Sequence, residues 1–248
     1  MRKIFLVLTL VVFCACPAFA VESVPAADSP LKTEGDAIPF LGVVQSGIAP
    51  ELLDTPPAKV AVLPATPSAK VISDFAKVKD VDPVAIFRTV FFGRFSVCPY
   101  EDIHIKDVDR LLADAAKEAP VSPAQKTPQE LGRLLGADAL VYLDIEKAEN
   151  VSSGLYSYTG YDATARMVRA SDGKELWRAK LDFANRGGAI LKSSEAISVV
   201  EFEQENHNKP KAFRRAAEEW GRRVVKDLRE KIEKARKTTV SKEIAHAE

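Results

Sequence analysis

The stretch TPQELGRLLGADALVYLDI, residues 127–145, decides the fold. Thr127-Pro128-Gln129-Glu130 is a helix start. Thr127 can cap the backbone, Pro128 suits the first helical position, and Glu130 can return the bond as the acid of a capping box. Leu131, Leu134 and Leu135 follow, and Gly136 can adopt the left-handed backbone that ends a helix. Ala139 to Ile145 is then the most strand-like run in the chain, and its apolar character suits a central strand of a covered sheet.

Downstream, Tyr156 to Arg169 alternates, with Tyr161, Ala163, Ala165 and Met167 on one side. Glu175 to Phe183 alternates as well, with Trp177, Ala179, Leu181 and Phe183 on one side. Asp172-Gly173 between two such runs predicts a hairpin. The last predicted element is a helix from about Lys211 to Lys234, on which Phe213, Ala217, Trp220, Val224, Leu228 and Ile232 form one apolar stripe.

Upstream, Lys59 to Leu63 is a short buried-strand run stopped by Pro64. A helix is expected from Asp82 to Phe92, capped by Asp82 and ended by Gly93. Arg94 to Cys98 reads as a second short strand, and Lys106 to Lys117 as a helix with Val108, Leu111, Leu112 and Ala115 inward. The expected order is β-α-β-α-α-β-β-β-α: an α/β (α+β) chain in which a mixed β-sheet is flanked by helices.

The amino terminus sets the expected compartment. Arg2 and Lys3, the apolar run Ile4 to Phe13, and Ala18-Phe19-Ala20 make a signal peptide over residues 1–20, cut after Ala20. The apolar run is shorter than the roughly 20 residues of a spanning helix. A competing reading cuts before Cys16 and acylates it, because Ala15 precedes it; Phe13 and Cys14 are poor matches further upstream. Residues 21–58 carry Pro25, Pro30, Pro39, Pro50, Pro56 and Pro57 and read as a linker, within which Ile38 to Val44 is apolar enough to dock. One domain is expected over 59–235, with a disordered tail at 236–248. No internal repeat is visible.

Acidic and basic residues balance at 35 each, so net charge gives no reason to expect nucleic acid. Beyond the leader the chain has one cysteine, Cys98, which reads as a small buried residue. His104, His207 and His246 stand apart, without metal-ligand spacing. Asp102, Asp107, Asp109 and Asp114 read as helix start and solvated face. No catalytic, cofactor-binding or metal residue is therefore named, and no cofactor is expected. On the last helix Arg214, Arg215, Arg222, Arg223, Lys226, Arg229, Lys231 and Lys234 stand among Glu218, Glu219, Asp227, Glu230 and Glu233. Two readings are open: a solvated outer face, or a surface for anionic lipid or an acidic partner.

Leu131-Gly132-x-x-Leu135-Gly136-Ala137-Asp138-Ala139, then Val141 to Ile145, Ala163 to Val168 and Asp172 to Arg178, resembles the GNA-type or DUF799-like family of bacterial envelope lipoproteins. Phe95 to Pro99 is similar to that family's short strand ending in proline. The layout more distantly resembles CsgG, the amino-terminal domain of TolB and the LpoB-type activators. The likeness covers about Lys59 to Lys180, and the residues before Cys16 depart from the family's acylation signal. It implies a non-enzymatic envelope protein that assembles with partner proteins in the periplasm or at the outer membrane. The alternative is a subunit of a CsgG-like secretion pore. Asp162, Arg166, Arg178 and Asp182 speak against the pore, since they leave the long hairpin no spare lipid-facing side.

Overall fold

The structure, a computed structural model, describes residues 42–75, 81–118, 125–153, 156–188 and 209–247. Within these ranges side chains are described except at 118, 152, 153, 156, 157, 185–188 and 238–247. The leader, Cys16, most of the expected linker and His207 lie outside them.

The protein is a mixed sheet flanked by helices, as the central stretch predicts. Strands β1 (Gln45–Ile48), β2 (Lys59–Val62), β3 (Thr66–Pro67), β4 (Glu101–Ile103), β5 (Ala139–Ser153), β6 (Tyr156–Arg169) and β7 (Glu175–Gly188) form one sheet of order β1-β7-β6-β5-β2-β4, with β3 continuing beside β5. The helices are α1 (Glu51–Asp54), α2 (Ala69–Phe75), α3 (Pro83–Phe95), α4 (Ile105–Glu118), α5 (Pro128–Leu135) and α6 (Lys209–Ala247). β5 is the hinge of the topology. It pairs parallel with β2 on one side and antiparallel with β6 on the other.

Local chemistry explains how β5 enters the sheet. Thr127 and Glu130 form the reciprocal capping box, and Gly136 sits at φ 64°. The Asp138 carboxylate then accepts from the backbone N–H groups of Ala58 (3.1 Å) and Lys59 (2.9 Å), which fixes the start of β2 beside β5. Gly132 has a steric reason: a Cβ there would stand 2.4 Å from the Cβ of Ala170. At Glu146 a bulge inserts one residue, so that Ile145 and Ala148 both face the core.

Two apolar layers cover the sheet. On one face α2, α3 and α6 pack over Val141, Leu143, Ile145, Tyr161, Ala165, Met167, Trp177 and Leu181. Its aromatic centre joins Phe87 to Tyr161 and to Trp220, each with ring centroids 4.8 Å apart. Trp220 Nε1 donates to Leu181 O (2.8 Å), and the Tyr161 hydroxyl donates to Pro83 O (3.0 Å). On the other face α4 and α5 cover Ala61, Leu63 and Leu140 with Val108, Leu112, Leu131 and Leu135. Phe213, Trp220, Val224 and Leu228 are fully buried or nearly so, so α6 is part of the core layer.

Four expectations are corrected. The second strand is Glu101–Ile103, whereas Arg94 and Phe95 continue α3 through Gly93. Phe87, Phe91 and Phe95 recur every four residues and all are fully buried. That stripe outweighs the ~1 kcal/mol helix penalty of one glycine. The domain also reaches upstream of Lys59. β1 pairs antiparallel with β7, the Ser46 hydroxyl donates to Asp227 of α6, and Lys231 Nζ donates to Ser46 O (2.7 Å). A four-residue edge strand, QSGI, has too little alternation to show in the sequence. The element order gains β1, α1, β3 and α2 for the same reason: each is seven residues or fewer. Lastly, the expected tail from 236 continues the α6 backbone to Ala247.

Candidate functional site

The outer side of α6 carries the concentration of unspent charge. Its helical spacing splits the basic residues into two sets. Arg223 and Lys231 turn back to the amino-terminal segment. Arg223 donates to Gly42 O (3.3 Å), and its guanidinium lies 4.8 Å from the centre of the Phe183 ring. Arg222, Lys226 and Arg229 turn the other way, with Arg236, and face Arg94, Val97 and Pro99 at the end of α3 and the turn that follows. Between these two walls runs a groove of about 680 Å³, with Val225 and Ile232 also lining it.

The groove's cations differ in how they are held. Glu219 takes both Arg222 (2.6 and 2.7 Å) and Arg223 (2.7 Å), and the Arg222 bond is the main cause that draws its carboxyl down to about 2. Lys226 lies 3.6 Å from Glu230. Arg94, Arg229 and Arg236 have no carboxylate within ion-pairing distance among the described residues. Val97, at the mouth, is 58% exposed although it is a large aliphatic residue. Groups able to hold carboxylates thus stand around an apolar floor.

Behind the groove, Cys98 is buried, and burial pushes its thiol up to about 12. Burial raises the Tyr100 hydroxyl to about 12 as well. A thiol held protonated there is a packing residue, as the sequence reading has it. Of the four aspartates read as helix start and surface, Asp107 is in the first turn of α4 and Asp114 pairs with Lys117 (2.8 Å). Asp109 is also on the exposed side of α4, and only Asp102 is corrected. Asp109 receives Arg88 Nη1 (2.6 Å), while Arg88 Nη2 reaches Val62 O (3.0 Å), so the pair ties α3, α4 and the end of β2 together. Asp102 is on β4, half-buried, with its carboxyl raised by desolvation. His104 is exposed; its Nδ1 accepts from the Lys106 N–H (3.2 Å) and its ring meets Phe92 edge-on.

Two other surfaces lack this combination. A cleft of about 800 Å³ lies between Thr55 to Ala58, α5 and the β6–β7 turn; of its charged members Asp138 and Arg169 are tied to backbone N–H groups and to Asp172, which leaves Arg133 as a single cation there rather than an array. On β5–β7, the face opposite the aromatic core is a closed set of ion pairs. Arg166 binds Asp144 (3.1 Å), Lys180 binds Glu146 (2.8 Å), and Asp162 lies 3.8 Å from Lys147 and 3.9 Å from Lys180. That face offers charge rather than an apolar band. Among the described residues no cluster of His, Cys, Asp and Glu could hold a metal ion, and no helix is long and apolar enough to cross a membrane.

The sequence marks Arg222, Lys226 and Arg229 as part of one basic face. It does not mark Arg94 and Val97, where it predicts a strand, or Arg236, which lies past the predicted end of the helix.

No family model and no curated protein matches the chain. Among solved structures it is similar to lipoprotein GNA1162 from Neisseria meningitidis, with 20% identity, 62% of this chain and 99% of that one covered, and a TM-score of 0.40. It is similar to a PelC dodecamer subunit from Paraburkholderia phytofirmans, with 16% identity, 69% and 98% covered, and a TM-score of 0.36. It is also similar to the LpoB carboxy-terminal domain from Salmonella enterica, with 11% identity, 53% and 83% covered, and a TM-score of 0.29. The functional reading therefore rests on the chain's own residues.

Proposed function

We propose that the protein is an exported, non-enzymatic module of the bacterial envelope that holds a macromolecular partner in a periplasmic or outer-membrane-associated complex. The observation that carries this reading is the groove, where the exposed guanidinium groups of Arg94, Arg229 and Arg236, outside ion-pairing distance of any described carboxylate, surround an apolar floor. Arg88, Arg166, Arg169, Arg178 and Arg223 are held by internal partners, whereas these three converge on one groove and are open to a partner outside the fold. The buried polar groups support the non-enzymatic half. Arg88 and Tyr161 tie separate chain segments together, and Cys98 is a protonated filler. None of them is positioned as acid, base or nucleophile toward either cleft.

Export rests on the leader residues Arg2 to Ala20. The proposed mature terminus is Val21, with acylation of Cys16 as the alternative. One acyl chain alone would anchor the protein only marginally. Mass spectrometry of the envelope form distinguishes the two, since a diacylglyceryl Cys16 terminus overturns Val21. Crosslinking in intact cells tests the function. Recovery of one defined envelope complex is the expected result, and turnover of an envelope polymer by the isolated protein would sink the reading.

A further inference from the structure

We infer that the groove between α6 and the turn after α3 binds an acidic peptide segment of the partner, one that alternates carboxylates with aliphatic side chains. The inference rests on the assembly reading above and specifies its contact. Three features select this occupant. Arg222, Lys226, Arg229 and Arg236 fall at steps of four, three and seven residues, which keeps them on one line of the helix, about 21 Å long at ~1.5 Å per residue. Arg94 faces that line from the other wall. A linear array of cations matches a linear array of carboxylates, and roughly six extended residues at ~3.3 Å each would span it.

The floor supplies the second feature. The buried Val225 and Ile232 line it, with the exposed Val97 at its mouth, so the bound segment needs aliphatic groups between its acids. Third, Glu230 and Glu233 are interleaved with the cations. A continuous anionic bilayer would face both acids as well as the arginines, and a flat surface would not enter a concavity. A peptide can place each carboxylate against an arginine and nothing acidic against the glutamates.

The test uses the purified exported form and a fluorescein-labelled peptide of alternating glutamate and leucine. The control peptide has glutamine in place of glutamate. Anisotropy should show the glutamate peptide binding at least about tenfold more tightly than the control, with affinity falling as salt rises. Reversing two of the unpaired cations, Arg229→Glu with Arg236→Glu, should weaken binding about tenfold or more. Both side chains are exposed and make no ion pair; Arg229 has only an attraction to Glu233, so the double reversal should cost little stability and the fold should stay intact. Arg133→Glu, at the other cleft, should bind as wild type does.

Equal affinity for the two peptides overturns the inference. So does flotation with phosphatidylglycerol vesicles that the double reversal abolishes, which would make the occupant a membrane. Self-association that the same reversal abolishes would make it a second copy, and also overturns it. If peptide binding fails while crosslinking in cells still recovers a defined complex, the groove assignment falls and the assembly reading stands.

Discussion

The two sides of α6 differ in what their residues touch. Phe213, Trp220, Val224 and Leu228 are closed into the aromatic layer, and Trp220 alone meets Phe87, Phe91 and the Leu181 carbonyl. Half a turn away, Arg229 and Arg236 touch solvent and a groove. β6 repeats the contrast: Tyr161, Ala163, Ala165 and Met167 face the core, while Asp162 and Arg166 face a grid of charges. The same elements thus carry stability on one side and leave chemistry available on the other. Changes on the inner side should cost folding energy, and changes on the outer side should move binding or pH response.

The largest effect should come from removing the helix. A chain ending before Lys211 exposes the aromatic layer and should lose its cooperative thermal transition. A truncated protein that still melts cooperatively would break the contrast at once. Next, Trp220→Ala should lower stability by ~3–5 kcal/mol, read from denaturant unfolding. Gly132→Val should cost ~1–3 kcal/mol, since even its Cβ meets Ala170 at 2.4 Å, and urea midpoints would show it.

On the outer side the expected effects are smaller and depend on pH. Burial raises the Asp162 carboxyl above its ordinary value, so its charged form destabilises the fold at neutral pH. As pH falls through that raised value, the folded protein takes up the proton and the penalty disappears. Asp162→Asn should therefore be more stable than wild type by about 1 kcal/mol or less at neutral pH. The gap should close in acid, which thermal melts across pH would follow. Glu219 has the opposite sign. Its folded value of about 2 lies below the ordinary 4.5, so its contribution is full above 4.5 and is lost as pH falls toward 2. Glu219→Gln should flatten that acid slope by a few tenths of a kcal/mol, because the pair is partly solvated.

Long, periodic elements were legible in the sequence. The Thr127 capping box, the Gly136 helix end, the Gly173 turn (φ 75°) and the stripe of α6 all stand where their side chains predict. Short elements were not. β1 and β3 owe their existence to hydrogen bonds offered by β7 and β5, a property of the partner strand that their own four and two residues do not encode. Phe95 misled for a related reason: Gly93 looks like a stop locally, and only the buried aromatic layer shows why the helix continues. The groove was half legible. The cations of α6 could be read, but the opposing wall depends on where α3 ends, which is a tertiary result.

A photo-crosslinking residue at Val97, activated in intact cells, tests most directly whether the outer side of α6 is the working surface. Val97 lines the groove and is largely exposed. The predicted result is one defined adduct with an envelope protein, formed through an acidic segment, that disappears when Arg229 and Arg236 are reversed while the protein stays folded. An adduct that survives the charge reversal in a folded protein would contradict the account.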